Sequence, residues 1–595
     1  MKKTHLLAFA LSAGLATASA QAGEVLVTGD ISVSTTWTAD NTYNLQGQIY
    51  VLPGASLTIE PGTVIASDSG GSLAVSKGAQ IYVLGTSDAP VIMTSKADVA
   101  TWTNGDPTTG TWREAANEWG NLTIMGDAYI SENATTGNVP TFDAGNYAAM
   151  EGLVAGFPGD PKVLYGGGND DDDSGSISYL SLRYGGKVIG LNNELNGLSL
   201  GGIGRGTEID HVEIMNNVDD GIEIWGGTVG LRYISIWNIG DDSFDVDQGW
   251  RGKAQFGLIV QGHSLDASQG SGVGDNCIEI DGGEDSDWQP TTTTTLYNFT
   301  VIGQPVDGDG ATAWRDNARV QYRNCVFMDC GEKVVRFDNV DGDGANGYGF
   351  NGTLSWADTW TTDWDMAPAH PNDPPAGTWG TYYQTQNSGK LAEMVDSVFF
   401  RNQSSSAYTE ANNVGVFAPA NNNVLVTSIA DADAPVKGLT RGAPVVKGGK
   451  TMIPVTQLDP RPANEALTSV DAAPNDGFFV AAKFRGATDP GNPNWLHGWT
   501  AADAFGFLAP ASEVYGLYIG NNVVANLVVD AARTHATVVR NGDVLCDESP
   551  LSISGGSPLV AQFDCGGTLV TITVGAGGPP TWTGGAFSGT VRPLN

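Results

Sequence analysis

The sequence predicts an all-β protein, a right-handed single-stranded parallel β-helix followed by a small C-terminal β-sandwich-like domain. Three observations point there. Short apolar-alternating runs recur with a turn every few residues, 80 glycines are available to make those turns, and one central stretch repeats itself at an interval of 22 residues.

The first observation is clearest near the N-terminus. Leu57-Thr58-Ile59 and Ile81-Tyr82-Val83 alternate with period two and end at Pro-Gly or Gly-Thr turns, the pattern of short strands with one face buried. The third is clearest in the middle, where GTEIDHVEIMNNVDDGIEIWGG (206–227) sits above TVGLRYISIWNIGDDSFDVDQG (228–249). At that offset Val212 falls on Ile234, Ile214 on Ile236, Asn216 on Asn238, Asp219 on Asp241, Asp220 on Asp242, Ile222 on Phe244 and Ile224 on Val246. Self-similarity at a fixed period of this size marks a solenoid, and two or three strands per repeat make one coil of a β-helix. Neighbouring coils then lie about 4.8 Å apart, so backbone groups find partners above and below. The stacked Asn216 and Asn238 are expected to form a side-chain ladder at a tight turn. The pattern continues through AQFGLIVQGHS, TLYNFTVIGQ, VQYRNCVFMDC and VDSVFFRNQ, a register that points Phe299, Cys325 and Val398 inward beside Val301, Phe327 and Phe400.

The rest of the chain divides around this solenoid. Residues 1–22 read as a secretory leader: Lys2 and Lys3 precede an apolar stretch from Leu6 to Ala16, and Ala18-Ser19-Ala20 or Ala20-Gln21-Ala22 makes a small-x-small cleavage site. Residues 23–435 are the β-helix with insertions. Residues 436–509, richer in Pro, Gly and Ala, form a cap or bracing segment, since a solenoid end must be covered. Residues 510–595 form a separate short-stranded unit in which Cys546 and Cys565 are expected to pair, export making disulfides possible. An odd count of five cysteines leaves at least one thiol of Cys277, Cys325 and Cys330 over.

Charge narrows the partners. Sixty-six acidic against 29 basic side chains leave a net charge of -37, which repels nucleic acid and anionic polymers unless cations bridge them. After the leader no apolar run is long enough for a membrane helix, so no integral membrane segment is expected in the mature chain. No His/Cys cluster calls for zinc, and no motif calls for an organic cofactor.

Segments such as YGGGNDDDDSGSISYLSLRYGG, NNELNGLSLGGIGRGT, DDGIEIWGG and GDDSFDVDQGWRGKAQF resemble secreted bacterial right-handed parallel β-helix proteins of the pectate-lyase-like solenoid type. The likeness spans roughly residues 30 to 510. It implies the fold, and export to the extracellular space, outer cell surface or periplasm of a Gram-negative-type cell.

Three features carry candidate chemistry. Asn217-Val218-Asp219, Gly240-Asp241-Asp242 and Gly262-His263-Ser264 follow one another at 22-residue steps. They resemble the Asn-x-Asp, Asp-Asp and Gly-His-Gly elements of polygalacturonase-type β-helix glycosidases. The resemblance implies Asp241 or Asp242 as acid, Asp219 with its neighbour as base and His263 as an orienting group. Arg251-Gly252-Lys253 resembles that family's Arg-x-Lys substrate clamp but precedes the histidine instead of following it; Arg251 or Lys253 would equally supply the base of a calcium-assisted lyase. Asp170, Asp171 and Asp172, Asp307 and Asp309, and Asp341 and Asp343 crowd carboxylates onto turns suited to Ca2+. Trp356, Trp360, Trp364, Trp379, Tyr382 and Tyr383 cluster in one insertion, where packing onto the scaffold is favoured over a glycan platform. The reading that follows is a non-enzymatic secreted or cell-surface protein that binds glycan or matrix with divalent cations in support. A polysaccharide hydrolase or lyase acting in the solenoid groove is the alternative.

Overall fold

The computed structural model describes residues 23–594 apart from 134–141, 191–192, 264–273, 284–287, 338–353, 364–382, 384–388, 403–415, 464–469, 555–558 and 575–578. The leader, Asp341, Asp343, Trp364, Trp379 and Tyr382 therefore lie outside the described residues.

The chain winds into a right-handed parallel β-helix whose coils each present three flat faces. The strands Gly175–Arg183, Glu208–Asn217, Gly230–Ile239, Lys253–Val260 and Thr293–Ile302 supply two of them. Each of these strands bends in the middle, because one residue drops out of the parallel pairing: His211 faces Tyr233 between the pairs Asp210–Arg232 and Val212–Ile234. Tyr179, His211, Tyr233, Phe256 and Asn298 occupy this corner with φ between 50° and 61°. Such a backbone costs an L-residue about 1 kcal/mol. Stacking offsets it: the ring centroids of Tyr179, His211, Tyr233 and Phe256 follow one another at 4.1, 4.3 and 4.8 Å. The third face is Leu122–Met125, Leu198–Ile203, Ile222–Gly227, Phe244–Asp247, Ile278–Asp281, Thr312–Arg315 and Val335–Phe337.

Alternation decides which side chains enter. Ile222 and Ile224, Phe244 and Val246, and Ile278 and Ile280 all join one continuous apolar core with Ile214, Ile236, Ile259, Val301 and Phe327. Gly257 stands where the column otherwise carries a branched residue, and a Cβ there would come within 2.2 Å of the Phe299 ring. The 22-residue register holds for Val212–Ile234, Ile214–Ile236, Ile222–Phe244 and Ile224–Val246. One inward assignment needs correction. Phe399, not Val398 and Phe400, enters the coil interior above Phe327. Val398 and Phe400 face outward into a second apolar cluster, so both sides of this strand are buried and alternation carries no signal there.

That second cluster is made by residues 436–509. Met215, Trp237, Leu258, Val260, Ile302, Val326 and Met328 point out from the second face and pack against Val436, Val455, Leu458, Leu496, Phe507 and Leu508. The segment thus lies along the flank of the solenoid as a brace. It is pinned by Glu213, buried on the outer side of the strand, whose carboxylate accepts the Ala501 and Ala502 N–H groups at 2.5 and 2.9 Å. From Glu513 onward the described residues form one curled sheet of nine antiparallel strands. Cys546 and Cys565 are joined by a disulfide across it, with Cα atoms 5.1 Å apart.

The expected asparagine ladder is present. Asn216 and Asn238 take φ of 61° and 60°, the Asn238 amide donates to Asn216 Oδ1 at 3.0 Å, and the His263 N–H donates to Asn238 Oδ1 at 2.7 Å. Replacing Asn238 by alanine removes both bonds and leaves a Cβ residue in the left-handed region, a loss of about 1–3 kcal/mol read from the urea midpoint. Asn238→Gly is expected to recover the backbone part of that loss and not the hydrogen-bonded part.

Candidate functional site

The turn between the second and third faces gathers the acidic groups. Successive coils bring this turn into register, so its polar residues stack. The Asp220 N–H donates to Asn196 Oδ1 at 3.1 Å, the Asp242 N–H to Asp220 Oδ1 at 2.9 Å, and the Asp275 N–H to the Asp241 carbonyl at 3.1 Å. Immediately downstream the third face presents Glu223, Asp245 and Glu279 in one outward column, with Asp247 and Asp281 in the next. Glu151 and Glu194 act electrostatically on the same group from the preceding coils. The result is a ridge of carboxylates running along the solenoid.

Three overlapping groups on this ridge bring ligand oxygens within 4.8 Å of one another: Asp219, Asp220 and Asp241; Asp220, Glu223 and Asp245; and Asp241, Asp242 and Asp275. Oxygens bound about 2.4 Å from one calcium ion are separated by at most about 4.8 Å, so the spacing fits a hard cation. Asp242 is only 7% exposed and its Oδ1 has no hydrogen-bond partner. Basic groups stand at the far end: Arg315 pairs with Asp281 at 2.7 Å and with Glu279 at 2.5 Å, and Arg336 with Asp275 at 3.5 Å. Among the described residues no basic side chain forms an ion pair with Asp219, Asp220, Glu223 or Asp242.

The electrostatic consequence is protonation. Burial, and then the charge of Asp241, pushes Asp219 up to about 8. Burial followed by Glu279 pushes Asp245 up to about 7, and burial followed by Glu194 pushes Glu151 up to about 7. Asp220 and Glu223 are held well above the carboxylate range by burial and then by Asp245; Asp242 is held there by burial and then by Glu279. A group in this state either keeps a proton at neutral pH or exchanges it for a cation.

The sequence-predicted residues divide on this map. Asp219, Asp241 and Asp242 come together as expected. His263 does not join them. The coil after Asp241 is one residue longer, Ile234 pairing with Gly257, and the place above Asp241 is taken by Asp275, whose N–H meets the Asp241 carbonyl. The His263 ring lies instead against Trp112 and Phe507, with centroids at 4.4 and 5.7 Å. Burial, and then Lys447, lowers it to about 4. Arg251 is buried and its guanidinium meets both oxygens of Asp170 at 2.6 and 2.7 Å; Lys253 pairs with Asp476 at 2.5 Å. Asp171 pairs with Arg205 and Asp172 accepts from Ser174. Asp307 accepts the Thr451 N–H and Asp309 pairs with Lys450. These loop aspartates are thus each turned to a separate protein partner. Trp360 and Tyr383 are buried, in keeping with a packing role for their insertion.

Glu223, Asp245, Asp275, Glu279 and Asp281 escaped the sequence reading as site residues. For Glu223, Asp245 and Glu279 the signal was the recurring outward acid between two inward apolar residues in GIEIWGG, SFDVDQG and CIEIDGG.

A family model described as a pectate-lyase-like β-helix domain matches residues 29–367. No curated protein matches the chain. Among solved structures, tailspike protein 2 of the Escherichia coli O157:H7 bacteriophage CAB120 is 8% identical over 95% of this chain and 64% of its own, with a TM-score of 0.16. The chain therefore spans less than two thirds of that protein's length. Among the described residues no helix is long and apolar enough to cross a membrane.

The ridge predicts the pH dependence of the cation-free protein. Its carboxyls ionise at higher pH folded than unfolded, so their contribution to stability is complete in acid and is lost as pH rises through their folded values. Thermal unfolding in a chelator is expected to shift downward by several degrees between about pH 5 and about pH 8. Added calcium is expected to flatten that slope, and Asp219→Asn to reduce it.

Proposed function

The chain belongs to the pectate-lyase-like β-helix domain family, and on that premise we propose that it is an exported protein of the cell exterior whose acidic ridge takes up divalent cations, calcium above all. Through those cations it meets acidic polysaccharide or matrix. The observation that carries the reading is the group Asp219, Asp220 and Asp241, continued through the buried Asp242, whose Oδ1 has no hydrogen-bond partner. Clustered carboxylates without histidine or available thiolate favour a hard cation over zinc or copper. A surface carrying -37 gains most from such neutralisation, and a cation shared between ridge and polymer joins two surfaces that otherwise repel.

A second reading has a specific observation in its favour. Asp219, pushed up to about 8 beside Asp241, keeps a proton at neutral pH and is suited to act as the general acid of a polysaccharide hydrolase. The absence of His263 from the column weighs against carrying over the polygalacturonase-type roles as a set.

Calorimetric titration of the full-length protein is expected to show calcium uptake with half-saturation at or below about 1 mM, the range of extracellular modules. Asp219→Asn combined with Asp241→Asn is expected to weaken it at least about tenfold, or about 1.4 kcal/mol. A protein that takes up no calcium overturns the reading. Retention on immobilised polyuronate is expected in calcium and not in chelator. Release of sugar from that polymer, abolished by Asp219→Asn, decides for the hydrolase.

A further inference from the structure

A cleft of about 360 Å3 opens on the first face of the solenoid, where Gly477 and Phe478 of the brace meet the starts of the strands Glu208–Asn217, Gly230–Ile239 and Lys253–Val260. Small-molecule sites commonly have about 300–1,000 Å3. None of the ridge carboxylates lines it. Register sets its wall: Glu208, Gly230 and Lys253 stack in one outward column, and Asp210 and Arg232 in the next. Gly230 leaves room for the Phe478 ring, since a Cβ there would come within 2.4 Å of it. The Arg232 guanidinium carbon stands 5.4 Å from the centroid of the same ring.

The charge of this cleft is inverted relative to the chain. Arg205, Arg232, Arg251 and Lys253 line it against Glu208 and Asp210, in a protein with 66 acidic and 29 basic side chains. Three of these cations are held by carboxylates: Arg251 by Asp170, Arg205 by Asp171 and Lys253 by Asp476. Among the described residues Arg232 forms no ion pair. Its register neighbour Asp210 is turned to Ser178 at 3.0 Å and to His211 at 2.6 Å, and its own Nη1 reaches the Phe478 carbonyl at 3.5 Å. We propose that the cleft binds a small ring compound bearing one carboxylate, with Arg232 gripping the carboxylate and Phe478 lying against the ring. A guanidinium fork matches a carboxylate through two parallel N–H···O bonds. An aromatic face packs against the ring of a sugar acid or of an aromatic acid. Glu208 and Asp210 limit the charge the site accepts. A phosphate, which carries about −1.5 to −2 at neutral pH, is repelled by both acids, and so is a polyuronate that brings several carboxylates to this wall. The site is thus separate in place and in chemistry from the cation-bridged contact at the ridge.

The test is calorimetric titration of the full-length protein in chelator, with glucuronate and 4-hydroxybenzoate as the two ring carboxylates. Glucose, phenol and inorganic phosphate are the controls. At least one carboxylate is expected to half-saturate near about 1 mM, the strength a ligand of about a dozen heavy atoms reaches. The tighter of the two identifies the ring as sugar or aromatic. Its neutral counterpart and phosphate are expected to bind at least about tenfold more weakly, and Arg232→Gln to weaken the carboxylate by as much. Arg232→Lys is expected to keep part of the affinity, and Phe478→Ala to lower it. Asp219→Asn combined with Asp241→Asn is expected to leave it unchanged, so failure of calcium uptake and failure of this site are read separately. Saturation by neither carboxylate, equal binding of the neutral counterpart or of phosphate, full binding to Arg232→Gln, or loss in the ridge variant would overturn the proposal. Charged and neutral ligands are compared on the parent protein, so the result remains decisive if a variant folds poorly.

Discussion

Everything in this molecule follows from one hydrogen-bonding constraint: each coil satisfies its backbone on the coil before and the coil after. In a parallel stack of about 4.8 Å pitch every residue has a counterpart directly above it. Inside, this is favourable without qualification, since Ile214, Ile236, Ile259, Val301 and Phe327 bury one another. At the corners it turns a strained φ into a run of stacked rings or amides. Outside, it is indifferent to sign. An acid placed on one coil and repeated on the next must sit beside its own copy, and Glu223, Asp245 and Glu279 do so.

The acidic ridge is therefore the expensive part of a cheap architecture. A solenoid that repeats an outward carboxylate pays a repulsion that grows with each coil, and burial between neighbouring turns enlarges it. The chain meets the far end with Arg315 and Arg336, while among the described residues Asp219, Asp220, Glu223 and Asp242 form no ion pair with a basic side chain. Protons or cations are what remain to neutralise them, and the choice between these is set by pH and by the ions in solution.

Much of this was legible in the amino-acid order, and the failures have physical causes. The coil register between 206 and 249 could be read because both copies have equal length and strict alternation. It failed at His263, where the coil is one residue longer and Asp275 continues the column instead, and at Val398 and Phe400, where a brace buries the outer face as well and alternation vanishes. Asp219, Asp241 and Asp242 were visible because they sit in a repeated turn. Their partners Glu223, Asp245 and Glu279 look in sequence like the ordinary polar half of a strand. What distinguishes them is the packing of neighbouring turns, which no spacing rule encodes. The loop aspartates failed the opposite way: Asp170 is conspicuous in sequence but spent on Arg251, a residue 81 positions away.

The brace along the second face also bears on how such a protein changes over generations. A bare solenoid gains or loses whole coils with little penalty, because each new coil presents the same surface as the last. Here the strap contacts outward residues from Met215 to Phe400 in a fixed order and docks two of its amides on Glu213. Deleting one coil inside that interval would slide half the contacts by a full step relative to the other half. A change in coil number is thereby tolerated more readily ahead of the strap than within the braced interval, which carries most of the ridge.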